Sequence, residues 1–177
     1  MIKATIRPIL IVLFLTLMQL VFLANPIQAG VEDEVLFSPE QSQQIVQRLV
    51  RVADMAQTTL DVAIFGFTDL DVANALVMAK KRGVKVRVYR DKTQESGKAQ
   101  RVITNILEKA GIEVKIKETS ALMHMKMMIS DSVRYATGSY NWSAGAKGQD
   151  NDLYVCWSGC AFVADYQTKF QRMWVRQ

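Results

Sequence analysis

From Leu60 to Ile116 apolar strand-like runs alternate with helix-period runs, and this rhythm restricts the fold more than any other feature of the chain. Leu60 to Phe67 reads as a buried strand. Thr68 stands where a cap is needed for a helix from Asp69 to Arg82, whose Val72, Leu76 and Ala79 share one face. Gly83 closes that helix before a strand from Val84 to Tyr89. The unit recurs with a helix from Lys98 to Ala110, then Gly111, then a strand from Ile112 to Ile116. Two successive crossovers predict an α/β fold: a mixed, largely parallel sheet flanked by helices.

The flanking segments extend this unit on both sides. Val31 to Phe37 forms a candidate first strand, ended by Ser38-Pro39. A helix to Met55 follows, with Ser38 as N-cap, Pro39 in the first position, and Ile45, Leu49, Val52 and Met55 on one face. Met123–Ile129 and Val133–Ala136 read as a hairpin turning at Ser130-Asp131-Ser132, and Asp152 to Trp157 as one more strand. A closing helix from Ala161 to Val175 carries Phe162, Tyr166, Phe170 and Trp174 at four-residue steps, a stripe expected in the core. With 50% hydrophobic and 22% charged residues, the chain is excluded from disordered and coiled-coil classes. Nothing resembling a repeat or a long linker interrupts it, so residues 30–177 are expected to form one domain.

Residues 1–29 read differently. Lys3 and Arg7 precede a mostly apolar run from Ile9 to Ala24, followed by Pro26 and by Ala29-Gly30. This is the layout of a signal peptide cleaved before Gly30, which places the mature protein in the periplasm or outside the cell. The alternative is a retained membrane anchor formed by residues 9–24. Cleavage would remove two basic residues and no acid, lowering the net charge from +5 to +3. An oxidising compartment would let Cys156 and Cys160 pair, although spacing alone leaves disulfide and free thiols both open.

His124 and Lys126 lie two apart on a predicted strand, which sends both side chains to the same face and turns Met125, Met127 and Ile129 the other way. Downstream, Gly138 permits close backbone approach, while Ser139 and Asn141 offer a hydroxyl and an amide. A point charge, two neutral donors and a nucleophilic nitrogen are the groups that a tetrahedral phosphodiester requires. One His and two Cys do not make a metal ligand set at zinc spacing, so no metal and no cofactor are expected. Lys80-Lys81-Arg82, Arg90 and Lys92 are solvated charges by default, with contact to a substrate backbone as the other reading.

The order His124-x-Lys126, four residues, Asp131, six residues, Gly138-Ser139-x-Asn141 resembles the signature of the phospholipase D superfamily. Phe37-Ser38-Pro39-Glu40, Phe65-Gly66-Phe67-Thr68 and Ala79-Lys80-Lys81-Arg82-Gly83-Val84 look like its small single-motif bacterial endonucleases. Across residues 30–177 the resemblance implies a phospholipase D-like fold. It implies His124 as nucleophile or acid partner, Lys126, Ser139 and Asn141 as phosphate ligands, and Asp131 as an orienting or catalytic carboxylate, with a structural role in the hairpin turn equally open. Asp152, placed near the family's usual acidic residue but followed by Leu153, is a candidate to orient the imidazole.

The activity implied is a metal-independent phosphodiesterase acting on nucleic acid, DNA or RNA, as a non-specific endonuclease through a phosphohistidine. Two alternatives stand beside it: a phospholipase D or cardiolipin hydrolase-like enzyme acting on phospholipid headgroups, and a catalytically silent nucleic-acid-binding module. The chain has a single histidine. A two-step transfer needs a nucleophile and a separate general acid, so the resemblance also implies a homodimer sharing one active site.

Overall fold

A computed structural model describes residues 32–119 and 121–176. The expected signal segment, residues 1–29, lies outside the described residues. Seven strands form one sheet: β1 Glu34–Ser38, β2 Thr59–Ile64, β3 Lys85–Asp91, β4 Glu113–Lys117, β5 Lys126–Ser130, β6 Arg134–Gly138 and β7 Asn151–Cys156, in spatial order β1-β7-β6-β5-β2-β3-β4. The helices are α1 Ser42–Asp54, α2 Leu70–Lys81, α3 Lys98–Lys109 and α4 Val163–Val175, with a 3₁₀ turn at Ala144–Gly148.

The expected βαβαβ unit is present, and β2-β3 and β3-β4 pair in parallel. The rest of the sheet corrects the expectation of a largely parallel arrangement: β1-β7, β7-β6, β6-β5 and β5-β2 are all antiparallel. The reason is local. The β5-β6 connection is a short turn, which can join only antiparallel neighbours, and β5 enters the sheet against β2 without a helical crossover. β7 then inserts between β6 and β1.

Each face of the sheet has its own core. Ile45, Leu49 and Val52 of α1, Val72 and Leu76 of α2, and Ile103 and Leu107 of α3 pack with Leu60, Val62 and Met128 of the sheet. On the other face α4 alone supplies the cover, with Phe170 and Trp174 against Tyr89, Met127, Ile129 and Tyr135. The expected aromatic stripe is therefore shorter than its period. Tyr166 stacks at 4.6 Å on Tyr135, but Phe162 precedes the helix and is 62% exposed.

Two helix starts also differ from expectation. Helix α1 begins at Ser42 with Gln41 in the cap position, because Ser38 Oγ donates instead to the carbonyl of Gln149 at 2.6 Å. At α2 the cap is Asp69, not Thr68. Its carboxylate accepts from the backbone N–H groups of Asp71 and Val72, an arrangement that satisfies two of the orphan donors of the first turn. Cys156 and Cys160 are joined by a disulfide, which ties the end of β7 to the segment leading into α4.

Candidate active site

The site gathers at one end of the sheet. Lys126 is the first residue of β5 and pairs with Ile64, the last of β2; Gly138 is the last residue of β6 and pairs with Leu153 of β7. His124 does not share the strand with Lys126, as the spacing had implied. β5 begins two residues later, and His124 sits in an extended approach segment with its side chain exposed.

Three hydrogen bonds fix that segment residue by residue. The backbone N–H of Met123 donates to the Asp91 carboxylate at 2.7 Å, the Phe65 N–H donates to the Met125 carbonyl at 2.9 Å, and Lys126 Nζ donates to the His124 carbonyl at 2.9 Å. The Phe65 ring adds an edge contact to the imidazole at 4.7 Å between centroids. His124 is thus held from both sides while its ring remains open to solvent.

Asp91 also accepts from the Thr93 backbone and hydroxyl. Burial pushes its carboxyl up, but the bonds from Thr93 and Met123 and the nearby charge of Lys117 together outweigh burial and hold it below the usual carboxylate range. It remains an anion and a firm acceptor. The sequence placed Arg90-Asp91-Lys92 at a strand's carboxyl end, where ligands gather, but gave Asp91 itself no role.

Lys126 is 4% exposed, and no carboxylate pairs with it among the described residues. Its Nζ lies 5.1 Å from the Phe65 ring centre. Desolvation by burial pushes the ammonium down to about 8. An anion arriving at this amine would supply the counter-charge that the protein withholds.

Asn141 and Ser139 are placed by backbone contacts. Asn141 Oδ1 accepts from the Gly66 N–H at 3.1 Å, which directs its Nδ2 donors elsewhere. Gly66 has no room for a side chain without disturbing this amide, since a Cβ would lie 3.2 Å from it. Gly138 is required for a similar reason: a Cβ there would collide with the Asp152 carbonyl oxygen.

Ser139 Oγ donates to the Asp152 carboxylate and accepts from the Asp152 N–H at 2.9 Å, while the Ser139 N–H reaches the same carboxylate at 3.0 Å. Asp152 therefore anchors Ser139 in this structure, whereas the sequence reading had it orienting the imidazole. Donation from Ser139 to a phosphate would require its hydroxyl to turn from Asp152.

Asp131 is not in the site. It lies just past the far end of β5, five residues and about 16 Å along the strand from Lys126. There its carboxylate accepts from the backbone N–H groups of Gln57, Thr58 and Thr59 and from the Thr58 hydroxyl, closing the turn before β2. Burial raises its carboxyl and these four bonds lower it further, so the net displacement is downward. The role this geometry supports is the structural one of the readings open from sequence, and it corrects the catalytic one.

Three of the basic residues singled out from sequence, Arg82, Arg90 and Lys92, are engaged elsewhere. Arg90 is fully buried, bonded to the Gln100 carbonyl and side chain and to Thr104, with Glu95 at 3.1 Å. Arg82 donates to the Ala53 carbonyl at 2.9 Å, and Lys92 to the Glu118 carbonyl at 2.6 Å. Among the described residues no group of three or more His, Cys, Asp or Glu is placed to hold a metal ion.

Comparison with known proteins gives this arrangement a family. Residues 49–174 match the family described as "Cardiolipin synthase, PLD-like domain". The chain belongs to the phospholipase D superfamily. Mitochondrial cardiolipin hydrolase of Xenopus tropicalis is 29% identical over 127 residues, covering 72% of this chain and 60% of that protein, and the Homo sapiens protein is 29% identical over 129 residues, covering 73% and 50%.

The chain thus spans at most about 60% of the length of these curated relatives. Among solved structures, the phospholipase D family member Nuc from Salmonella typhimurium superposes with a TM-score of 0.75 at 28% identity, covering 81% of this chain and 93% of that one. NucT from Helicobacter pylori reaches a TM-score of 0.72 at 21% identity, a likeness of fold.

Proposed function

We propose that this phospholipase D-like protein cleaves nucleic-acid phosphodiesters without a metal, in two steps, at a site shared by two copies of the chain. The observation that carries the chemistry is the buried Lys126 ammonium, held one hydrogen bond from the His124 backbone and lacking a carboxylate partner among the described residues. Such a charge costs stability unless it meets an anion, and its place beside an exposed imidazole gives that anion a nucleophile.

An imidazole nitrogen of His124 attacks phosphorus as the bond to the leaving oxygen breaks. Lys126 and the Asn141 amide neutralise charge on the non-bridging oxygens. The imidazole bonded to phosphorus cannot also protonate the leaving oxygen, so that proton comes from His124 of a second copy. In the second step that imidazole takes a proton from water, the water oxygen bonds to phosphorus and the P–N bond breaks, restoring both histidines.

The substrate reading is supported by the single-motif pattern and by the near-complete coverage of Nuc, against 60% or less of the cardiolipin hydrolases quoted above. A phospholipid headgroup is the second reading, favoured by those relatives. The N-terminal segment and the Cys156–Cys160 disulfide support an exported protein. The deciding experiment assays the purified chain in excess chelator on DNA, RNA and cardiolipin vesicles side by side. Nucleic-acid cleavage that survives chelation is expected. Activity confined to the vesicles, or lost to chelator and restored by a divalent ion, would overturn this reading.

A further inference from the structure

A cavity of about 470 Å³ opens directly beside His124. Tyr89 at the end of β3, Met123 and Met125 on either side of His124, and Met173 of α4 line it with apolar surface. Lys117 at the end of β4 and Lys169 and Arg176 from the α4 side bring three positive charges to the lining, against the one carboxylate of Glu118. None of these three cations forms an ion pair among the described residues. The sequence reading named none of them, because they lie on elements separated by about fifty residues of chain.

Resting on the nucleic-acid reading above, we propose that this cavity is a nucleoside subsite. It holds the sugar and base of a nucleotide joined to the phosphate at His124, while Lys117, Lys169 and Arg176 meet the next phosphate of the strand. Continuity is the first ground. His124 itself lines the cavity, so a group bonded to the reacting phosphorus enters without crossing open solvent.

Size and lining are the second. The volume is that of a small-molecule site, and thioether side chains pack against flat groups of different outline without reading their edges, which fits cleavage at any base. Charge is the third. An acyl chain would run along a lining with three cations and one carboxylate and strip water from these charges with nothing in return, whereas a nucleic-acid strand brings a phosphate with every nucleotide.

The test uses the full chain and two variants: Met173→Trp, which narrows the cavity from α4, and the exposed pair Lys169→Gln with Arg176→Gln, which leaves the apolar packing untouched. For a single-stranded oligonucleotide both should raise KM by about tenfold with kcat within about twofold, the pattern of lost substrate binding. Inhibition by inorganic phosphate, which reports the His124–Lys126 centre alone, should be unchanged. The charge variant should also flatten the salt dependence of KM.

Oligonucleotide KM unchanged in both variants would overturn the subsite, as would impaired hydrolysis of cardiolipin vesicles with oligonucleotide cleavage intact. Failure of the nuclease reading shows separately, as a wild-type chain that does not cleave the oligonucleotide at all, and that result sinks both proposals.

Discussion

The side-chain ammonium of Lys126 donates a hydrogen bond to the backbone carbonyl of His124 at 2.9 Å. One interaction therefore fixes the proposed phosphate-binding charge and the segment carrying the proposed nucleophile in the same frame, so that neither can shift without the other. Preorganisation of this kind lets a fixed charge act on a transition state with little rearrangement.

Replacement of Lys126 by Met tests both consequences. Turnover should fall by about 100-fold or more, as for loss of an electrostatic contact to the transition state. Stability should change little, because removing an unpaired buried charge offsets the lost hydrogen bond. The wild-type pH profile carries the same information. With the folded-state ammonium pushed down to about 8 from an ordinary 10.5, the cost of burying the charge applies below pH 8 and fades as pH rises toward 10.5. Activity runs the other way: kcat/KM should decline above about pH 8, and kcat at higher pH, because bound phosphate favours the ammonium. A kcat/KM that stays flat to pH 10 would show that Lys126 has no electrostatic part in the reaction.

The proposed shared site predicts a particular result on mixing. Equimolar wild type and His124→Ala, after full subunit exchange, should retain about a quarter of the activity of an all-wild-type sample at the same total concentration, from random pairing about a two-fold axis. Activity proportional to the wild-type fraction, or an active monomer in sedimentation, is the contrary outcome.

Asp131 should behave as a structural residue. Asp131→Ala leaves the N–H groups of Gln57, Thr58 and Thr59 without their acceptor and should cost about 2–3 kcal/mol in chemical denaturation, with kcat within about twofold of wild type. Because the folded-state carboxyl is displaced downward, its contribution is present above the pKa of an unfolded aspartate and is lost as pH falls through the folded value. The variant should accordingly lose less stability on acidification than wild type. A large loss of kcat in a stably folded Asp131→Ala chain would return Asp131 to the catalytic group.

Asp91 is expected to act on catalysis through Met123. Asp91→Ala removes the acceptor of the Met123 N–H and should lower kcat by about tenfold or more by loosening the approach to His124. Asp91→Asn keeps one acceptor oxygen and should recover most of that loss. Steady-state kinetics of the two variants, alongside their thermal stabilities, separates positioning from simple destabilisation: equal kcat losses in both would argue against the brace.

The sequence was most informative where function depends on short-range order. Apolar periods between Leu60 and Ile116 determined the crossover unit, and the spacing from Lys126 to Gly138 determined which side chains gather at one end of the sheet, because a strand, its turn and the next strand carry them to one place by local geometry alone. The single histidine likewise carries the proposal of a second copy, with no help from the fold.

Pairings made at long range were decided only by the tertiary structure. Nothing local to β5 says that it will lie against β2, yet that contact makes the sheet mixed and puts Asp131 over the turn before β2, at the end away from His124. Nothing near Asp91 says that its carboxylate will receive the N–H of a residue thirty-two positions later. Nor does the chain near His124 reveal the cations of β4 and α4 that wall its neighbouring cavity. Side-chain type and local period are written in sequence. Which groups meet across the sheet depends on how several buried faces pack at once, a property of the whole chain rather than of any one segment.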